Sequence, residues 1–329
     1  MKKEYSKNVD ILKSIACILV IINHTSSYLL INENYLSFYK IEFVLCRIAV
    51  PIFIMCTGYL MCTKELKGKD VLKKILKVFI PLFLLSGLIY FLQHKTLDFL
   101  FLQSFIAMPI IEPYWYIYML VGLYLIMPFL NYIIKNITLK EHVFLISIIL
   151  IIPALLNLFS LPFSAYWTLA IPTYIIGYYL MGSLFYKMHD QIKFAKLSGI
   201  LFFILYMIGI IFYPSDHLEL YNIDNLLLIS MSILFMNFIL GLKIKHQHKF
   251  LNLISTNSLY IYLFHPILQN KIYKLSVFQN IISFNYVVGI LFYQFILLLI
   301  CLALAWLCNY VLKTIPNIIL KMHPEHVVQ

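Results

Sequence analysis

The chain reads as an all-α polytopic membrane protein with about ten transmembrane helices and cytoplasmic N- and C-termini. Three observations predict this. Hydrophobic residues make up 62% of the 329 residues and charged residues only 12%, with a mean hydropathy of +0.89, more apolar surface than a soluble domain of this size can bury. Apolar windows of bilayer length recur along the whole chain, separated by short Lys-, Asn- and Pro-containing stretches. The lysines also segregate between alternate loops.

Taken in order, the first span is 10–31, following the basic "MKKEYSK". That start resembles a secretory leader, but the apolar run is too long and "INENYLSFYK" holds no small-residue cleavage site, so an uncleaved span is expected. The next windows are 42–63, 72–92, 114–134, 142–160, 167–187, 195–213, 223–242, 254–271 and 286–312. "LDFLFLQSFIAMPI" (97–110) is apolar but too short to cross, so a re-entrant or interfacial helix is expected there. With a cytoplasmic N-terminus, the cytoplasmic loops and tails hold twenty lysines; Lys40, Lys95, Lys271 and Lys274 are the four on the other side. The same segregation accounts for the net charge of +11 without any nucleic-acid partner. No repeat or polar appendage divides the chain, so residues 1–329 are read as a single integral-membrane domain.

The informative residues are ionisable side chains inside apolar runs. Lys13 and His24 are eleven residues apart in the first span, which puts them on one helix face and roughly 16 Å apart along the axis. Snorkelling explains such a lysine taken alone, and an interfacial position explains such a histidine. Arg47, the single arginine, lies inside the second span and needs a partner or a wet cavity; Glu42, one turn earlier, is the nearest candidate partner. Because the second helix runs back from the outer face, Arg47 and His24 are expected at a similar depth.

Pro51 and "CTG" (56–58) predict a bent helix whose small residues serve close packing or backbone approach to a ligand. Lys73, Lys74 and Lys77 open the third span, either as topology signals or as a phosphate cradle. "EPYWYIY" puts Glu112 and Trp115 at the outer start of the fourth span, and His265 precedes Pro266 in the ninth. All six cysteines sit in apolar segments without ligand spacing, and His246 with His248 form only a pair, so no metal site is predicted.

Taken together, these segments resemble the acyltransferase-3 family of ten-span bacterial membrane acyltransferases. That family opens with a basic residue, ten residues and a histidine, matched here by Lys13 and His24, with lysine in the place usually held by arginine. "RIAVPIFIMCTGYLM" is similar to its Arg…Pro-x-Phe…Ser-Gly-Tyr run, with Thr57 in the serine place. "KKILKVFIP", "YWYIYMLVGLYLIMPFLN", "TYIIGYYL" and "ISTNSLYIYLFHPIL" follow in the family's order. The resemblance implies transfer of an acyl group, most often acetyl from acetyl-CoA as co-substrate, to a hydroxyl of a cell-surface or lipid-linked polysaccharide at a bacterial plasma membrane. No permanently bound cofactor is implied.

Under that resemblance His24 and Arg47 are the expected catalytic residues. His24 acts as general base or acyl carrier, and Arg47 holds the oxyanion or the acceptor. Lys13, Lys73, Lys74 and Lys77 are expected to bind acyl-CoA. Glu42, Thr57, Glu112, Trp115 and His265 are expected to support the site or the acceptor, with His265 an alternative base. Some relatives add an extracytoplasmic hydrolase-like domain; only seventeen residues follow the predicted tenth span here, so transfer by the membrane domain itself is expected. A carrier of small molecules or an exporter of polysaccharide on the same membrane fold is the alternative. It would call for carboxylates or unwound helices at mid-bilayer, whereas the predicted carboxylates cluster at the surfaces.

Overall fold

The computed structural model describes residues 3–31, 35–158, 173–189, 192, 194–212, 225–246 and 248–322, and these contain helices and turns but no strand. The helices are α1 (Lys3–Thr25), α2 (Leu36–Cys46), α3 (Ala49–Met61), α4 (Gly68–His94), α5 (Phe99–Ala107), α6 (Trp115–Asn136), α7 (Leu139–Ile146), α8 (Ile152–Leu158), α9 (Thr173–Lys187), α10 (Ala195–Ile211), α11 (Leu226–Leu240), α12 (Lys249–Tyr273), α13 (Ser276–Phe284) and α14 (Tyr286–Met322). Among the described residues five segments are long and apolar enough to cross a membrane: Lys7–Leu29, Leu36–Met61, Gly68–His94, Glu112–Asn136 and Tyr286–Val311. α10 and α11, with 17 and 15 residues, are shorter apolar helices. α12 has the length at 25 residues, but its Asn, Ser, Thr, His and Lys side chains dilute its hydropathy. The predicted spans 142–160, 167–187, 195–213 and 223–242 each extend partly beyond the described residues.

Several boundaries differ from expectation, each for a local reason. The second span begins at Leu36 rather than 42, and it is broken at Arg47 and Ile48 rather than bent at Pro51. Pro51 has no N–H to offer the carbonyl four residues earlier, and its ring crowds that carbonyl, so the interruption falls at Arg47. In the fifth, a π-helical turn over Ser147–Ile151 separates α7 from α8 just before Pro153. The segment 97–110 forms the nine-residue α5, about 14 Å long and too short to cross.

The bundle has lipid-facing outer surfaces. On α4, Leu72, Leu76, Ile80, Leu84 and Leu88 are exposed at four-residue spacing, a continuous apolar stripe that water would not tolerate. α10 presents a similar face with Leu197, Ile200, Phe203, Ile204 and Ile211. Five of the cysteines are buried and Cys308 is half-buried, and all six are free thiols.

Inside, α3 and α9 cross at backbone contact. A methyl group on Gly58 would lie 2.1 Å from the carbonyl oxygen of Tyr179, and one on Gly182 would lie 1.9 Å from that of Met55. Each helix therefore offers a glycine to the other's backbone, as small residues allow in membranes.

Polar bonds join the remaining helices. The Asn8 amide of α1 donates to the carbonyls of Ile239, Leu240 and Leu242 at 2.7, 3.0 and 3.0 Å, covering the end of α11. Asn131 of α6 donates to the carbonyls of Met61 and Lys64 at the end of α3 and accepts a 2.6 Å bond from the Tyr179 hydroxyl of α9. Gly58→Ala and Gly182→Ala are each expected to force α3 and α9 apart, at a cost of about 1–3 kcal/mol or more. Thermal unfolding of the detergent-solubilised variants, read against an alanine substitution at the open Gly122, measures this.

Candidate active site

Two cavities lie end to end in the bundle. The first, of about 710 Å³, is lined by His24, Arg47, Glu112, Trp115 and their neighbours. The second, of about 320 Å³, is lined by Lys13, Thr57, Lys74, Lys77 and a polar stretch of α12. Val20, Val50, Tyr116 and Tyr262 line both, so the two spaces meet at these four side chains.

The histidine cavity takes its walls from three places. His24 lies in the last turn of α1, half-buried, with its ring centroid 5.1 Å from that of His265 on α12. Arg47 occupies the break between α2 and α3, where its guanidinium stands 5.3 Å from the Phe43 ring. The third wall is the short 3₁₀ turn Glu112–Tyr114 ahead of α6, fastened to α12 by two phenols. The Tyr114 hydroxyl donates to the Leu263 carbonyl at 2.7 Å, and the Tyr262 hydroxyl donates to the carbonyl of Pro113. That clamp aims Glu112 and Trp115 at the cavity, where both remain exposed.

The lysine cavity lies about three helical turns away along α1. The Lys13 ammonium donates to the Ser255 carbonyl of α12 at 3.1 Å, and Ser255 donates to the Asp10 carboxylate at 2.9 Å. Lys74 and Lys77 are three residues apart on α4 and share one face. The Lys74 ammonium lies 3.6 Å from the Met61 sulfur and 5.9 Å from the Tyr124 ring centroid.

The structure thus brings His24, Arg47, Glu112 and Trp115 to one cavity and Lys13, Lys74 and Lys77 to the other. Three expected site residues, Lys73, Glu42 and His265, stand outside both cavities, and Thr57 lies in the second. Lys73 is exposed and outside the lysine cavity, one turn before Lys77 along α4. Thr57 lines the lysine cavity rather than the histidine one, and its hydroxyl donates back to the Phe53 carbonyl at 2.9 Å. Glu42 is buried away from His24 and accepts a 3.0 Å bond from Gln294 of α14. His265 is fully buried behind His24 rather than in the cavity wall, and neither of its ring nitrogens hydrogen-bonds to a described residue.

Sequence reasoning missed Asn23, Tyr116, Tyr174 and Tyr262 in the first cavity and Ser255, Thr256, Ser258 and Asn309 in the second. The "STNS" run at 255–258 was the available signal, since four polar residues in an apolar helix need a reason. Tyr262 lies one turn from His265 and shares its face, with ring centroids 5.5 Å apart. Among the described residues, no group of three or more His, Cys, Asp or Glu side chains could hold a metal ion.

A basic residue and a histidine eleven positions apart on α1, an arginine at the head of α3 and lysines on α4 all converge on two joined cavities. Residues 6–309 match the family model described as "Acyltransferase domain". The chain belongs to the acyltransferase-3 family. It is a multi-pass membrane acyltransferase. No curated protein and no solved structure matches the chain. Within this acyltransferase, Tyr114→Phe is expected to lower stability by about 0.5–1.5 kcal/mol through loss of the bond to Leu263. A thermal-shift measurement on the variant reads it, and a larger loss would show that the 3₁₀ turn itself collapses.

Proposed function

We propose that this acyltransferase moves an acyl group, acetyl foremost, from acyl-CoA to a hydroxyl of a cell-surface or lipid-linked polysaccharide. In this reading the chain crosses a bacterial plasma membrane about ten times with both termini in the cytoplasm. The lysine cavity then opens towards the cytoplasm and the histidine cavity towards the outside. The observation that carries the reading is the junction of the two cavities. It offers one path from a set of phosphate-compatible cations to an imidazole and a guanidinium.

Lys13, Lys74 and Lys77 meet the nucleotide phosphates as point charges. The pantetheine arm then follows α1 past Val20, and the roughly 16 Å from Lys13 to His24 is the distance it must cover. The acceptor sugar enters the histidine cavity from the other end, where the exposed Trp115 ring offers a surface for a sugar face and Glu112 an acceptor for its hydroxyls.

His24 takes the proton of the acceptor hydroxyl as that oxygen attacks the thioester carbonyl. The carbon–sulfur bond breaks, the CoA thiolate takes the proton back from His24, and the products are the acyl ester and CoA thiol. Arg47 lies across the same cavity, where its charge opposes the oxyanion of the tetrahedral intermediate. His265 lies behind His24 in ring contact and limits how that imidazole can turn, which makes it a positioning residue.

The test is purified protein with radiolabelled acetyl-CoA, following thioester consumption. His24→Ala is expected to lose about 10²–10⁴-fold in turnover, and Arg47→Ala about 10²–10³-fold. Full turnover by His24→Ala would move the chemistry to another residue. The lysines give a separate expectation: Lys74→Ala and Lys77→Ala raise the KM for acetyl-CoA, whereas Lys73→Ala leaves it unchanged.

A further inference from the structure

We propose that the constriction between the two cavities is an acyl-group filter. It passes small uncharged acyl groups and turns back carboxylated or branched ones. The inference rests on the reading of acyl-CoA entry from the lysine cavity.

Val20 of α1, Val50 of α3, Tyr116 of α6 and Tyr262 of α12 are, among the described residues, the only side chains that line both spaces. They come from four different helices, α1, α3, α6 and α12, so the passage is bounded by separate parts of the bundle. None carries a charge. The cations of the lysine cavity lie below them, and His24, Arg47 and Glu112 lie above.

An acyl group on CoA crosses this junction before it reaches His24. A methyl group crosses without losing a polar contact. A terminal carboxylate, as in a succinyl group, must leave the lysines and pass four uncharged side chains before it meets Arg47, losing water on the way. The pantetheine arm that follows is polar but neutral, and so avoids that cost.

The side chains at the junction are also braced. The Tyr262 hydroxyl is tied to the Pro113 carbonyl, which keeps its ring in place. Tyr116 packs against Tyr262 at 5.6 Å between centroids and against Phe53 at 6.1 Å. The two valines are β-branched and have few rotamers to yield. A branched chain such as isobutyryl therefore meets two stiff side chains and two braced rings.

The experiment follows thioester consumption by the purified full-length protein with acetyl-, isobutyryl- and succinyl-CoA. Wild type is expected to favour acetyl-CoA over each of the others by at least about tenfold in kcat/KM. Val20→Ala and Val50→Ala widen the junction and are each expected to lower the acetyl-to-isobutyryl ratio by about threefold or more. Val50→Thr keeps the size and adds a hydroxyl, so it is expected to lower the acetyl-to-succinyl ratio and leave the isobutyryl ratio alone. Equal use of the three donors by wild type, or ratios unmoved in every variant that consumes acetyl-CoA, would overturn the filter and leave the acyltransfer reading standing. Failure of wild type to bind or consume any acyl-CoA would overturn both.

Discussion

The crossing of α3 and α9 is the constraint on which the remainder of the site depends. α3 is used on two sides. Its Met55 and Gly58 lie against α9, where two glycines admit the opposing backbones, and Val50, Phe53 and Thr57 look into the cavities. Because the contact is backbone to backbone, it leaves little slack along or around the axis. The register of α3 on α9 therefore sets where Arg47 emerges at the head of the helix and where Val50 narrows the passage. In a bilayer, where apolar burial does not drive helices together, close packing of this kind is a principal source of association.

Interior hydrogen bonds do the rest of the alignment. Asn8, Asn131 and Tyr114 each reach backbone carbonyls on a distant helix, and each marks a place where two elements would otherwise be free to slide. The Asn131–Tyr179 pair is especially economical: one amide holds the end of α3 and one phenol of α9 holds the amide. α1 and α12 are joined in the same manner through Lys13, Ser255 and Asp10. The lysine that faces the smaller cavity is thus also part of a helix contact.

Much of the site was legible because charge in an apolar run is conspicuous. Lys13, His24 and Arg47 stand out against their neighbours, and eleven-residue spacing puts the first two on one face without any structure. Helix periodicity does not separate Lys73 from Lys74 and Lys77, since Lys77 lies about 40° from Lys73 and about 60° from Lys74 around the axis; only the tertiary contacts of α4 show which of the three line the cavity. Less could be read where the signal was common. Tyr116 and Tyr262 are two of 25 tyrosines, and nothing in the chain distinguishes those at the constriction from those in an interfacial belt. Gly58 could be read as a packing residue, but its partner Gly182 lies 124 residues later, and a long-range pair of this kind is set by tertiary contact alone. The bond from Gln294, at the far end of the chain, to Glu42 is likewise invisible to sequence proximity.

The exposed stripe on α4 has a consequence of another kind. The stripe from Leu72 to Leu88 runs about 24 Å along the axis, close to the hydrocarbon core of about 30 Å, so the surrounding bilayer sets the depth at which this helix sits. Lys74 and Lys77 ride on the same helix, level along its length with Leu72, Leu76 and Ile80. A change in bilayer thickness that shifts α4 also shifts both ammonium groups relative to Lys13, whose own ammonium is bonded to α12. The lipid around the protein is in this sense a neighbour of the lysine cavity, acting on the spacing of its cations from outside the chain.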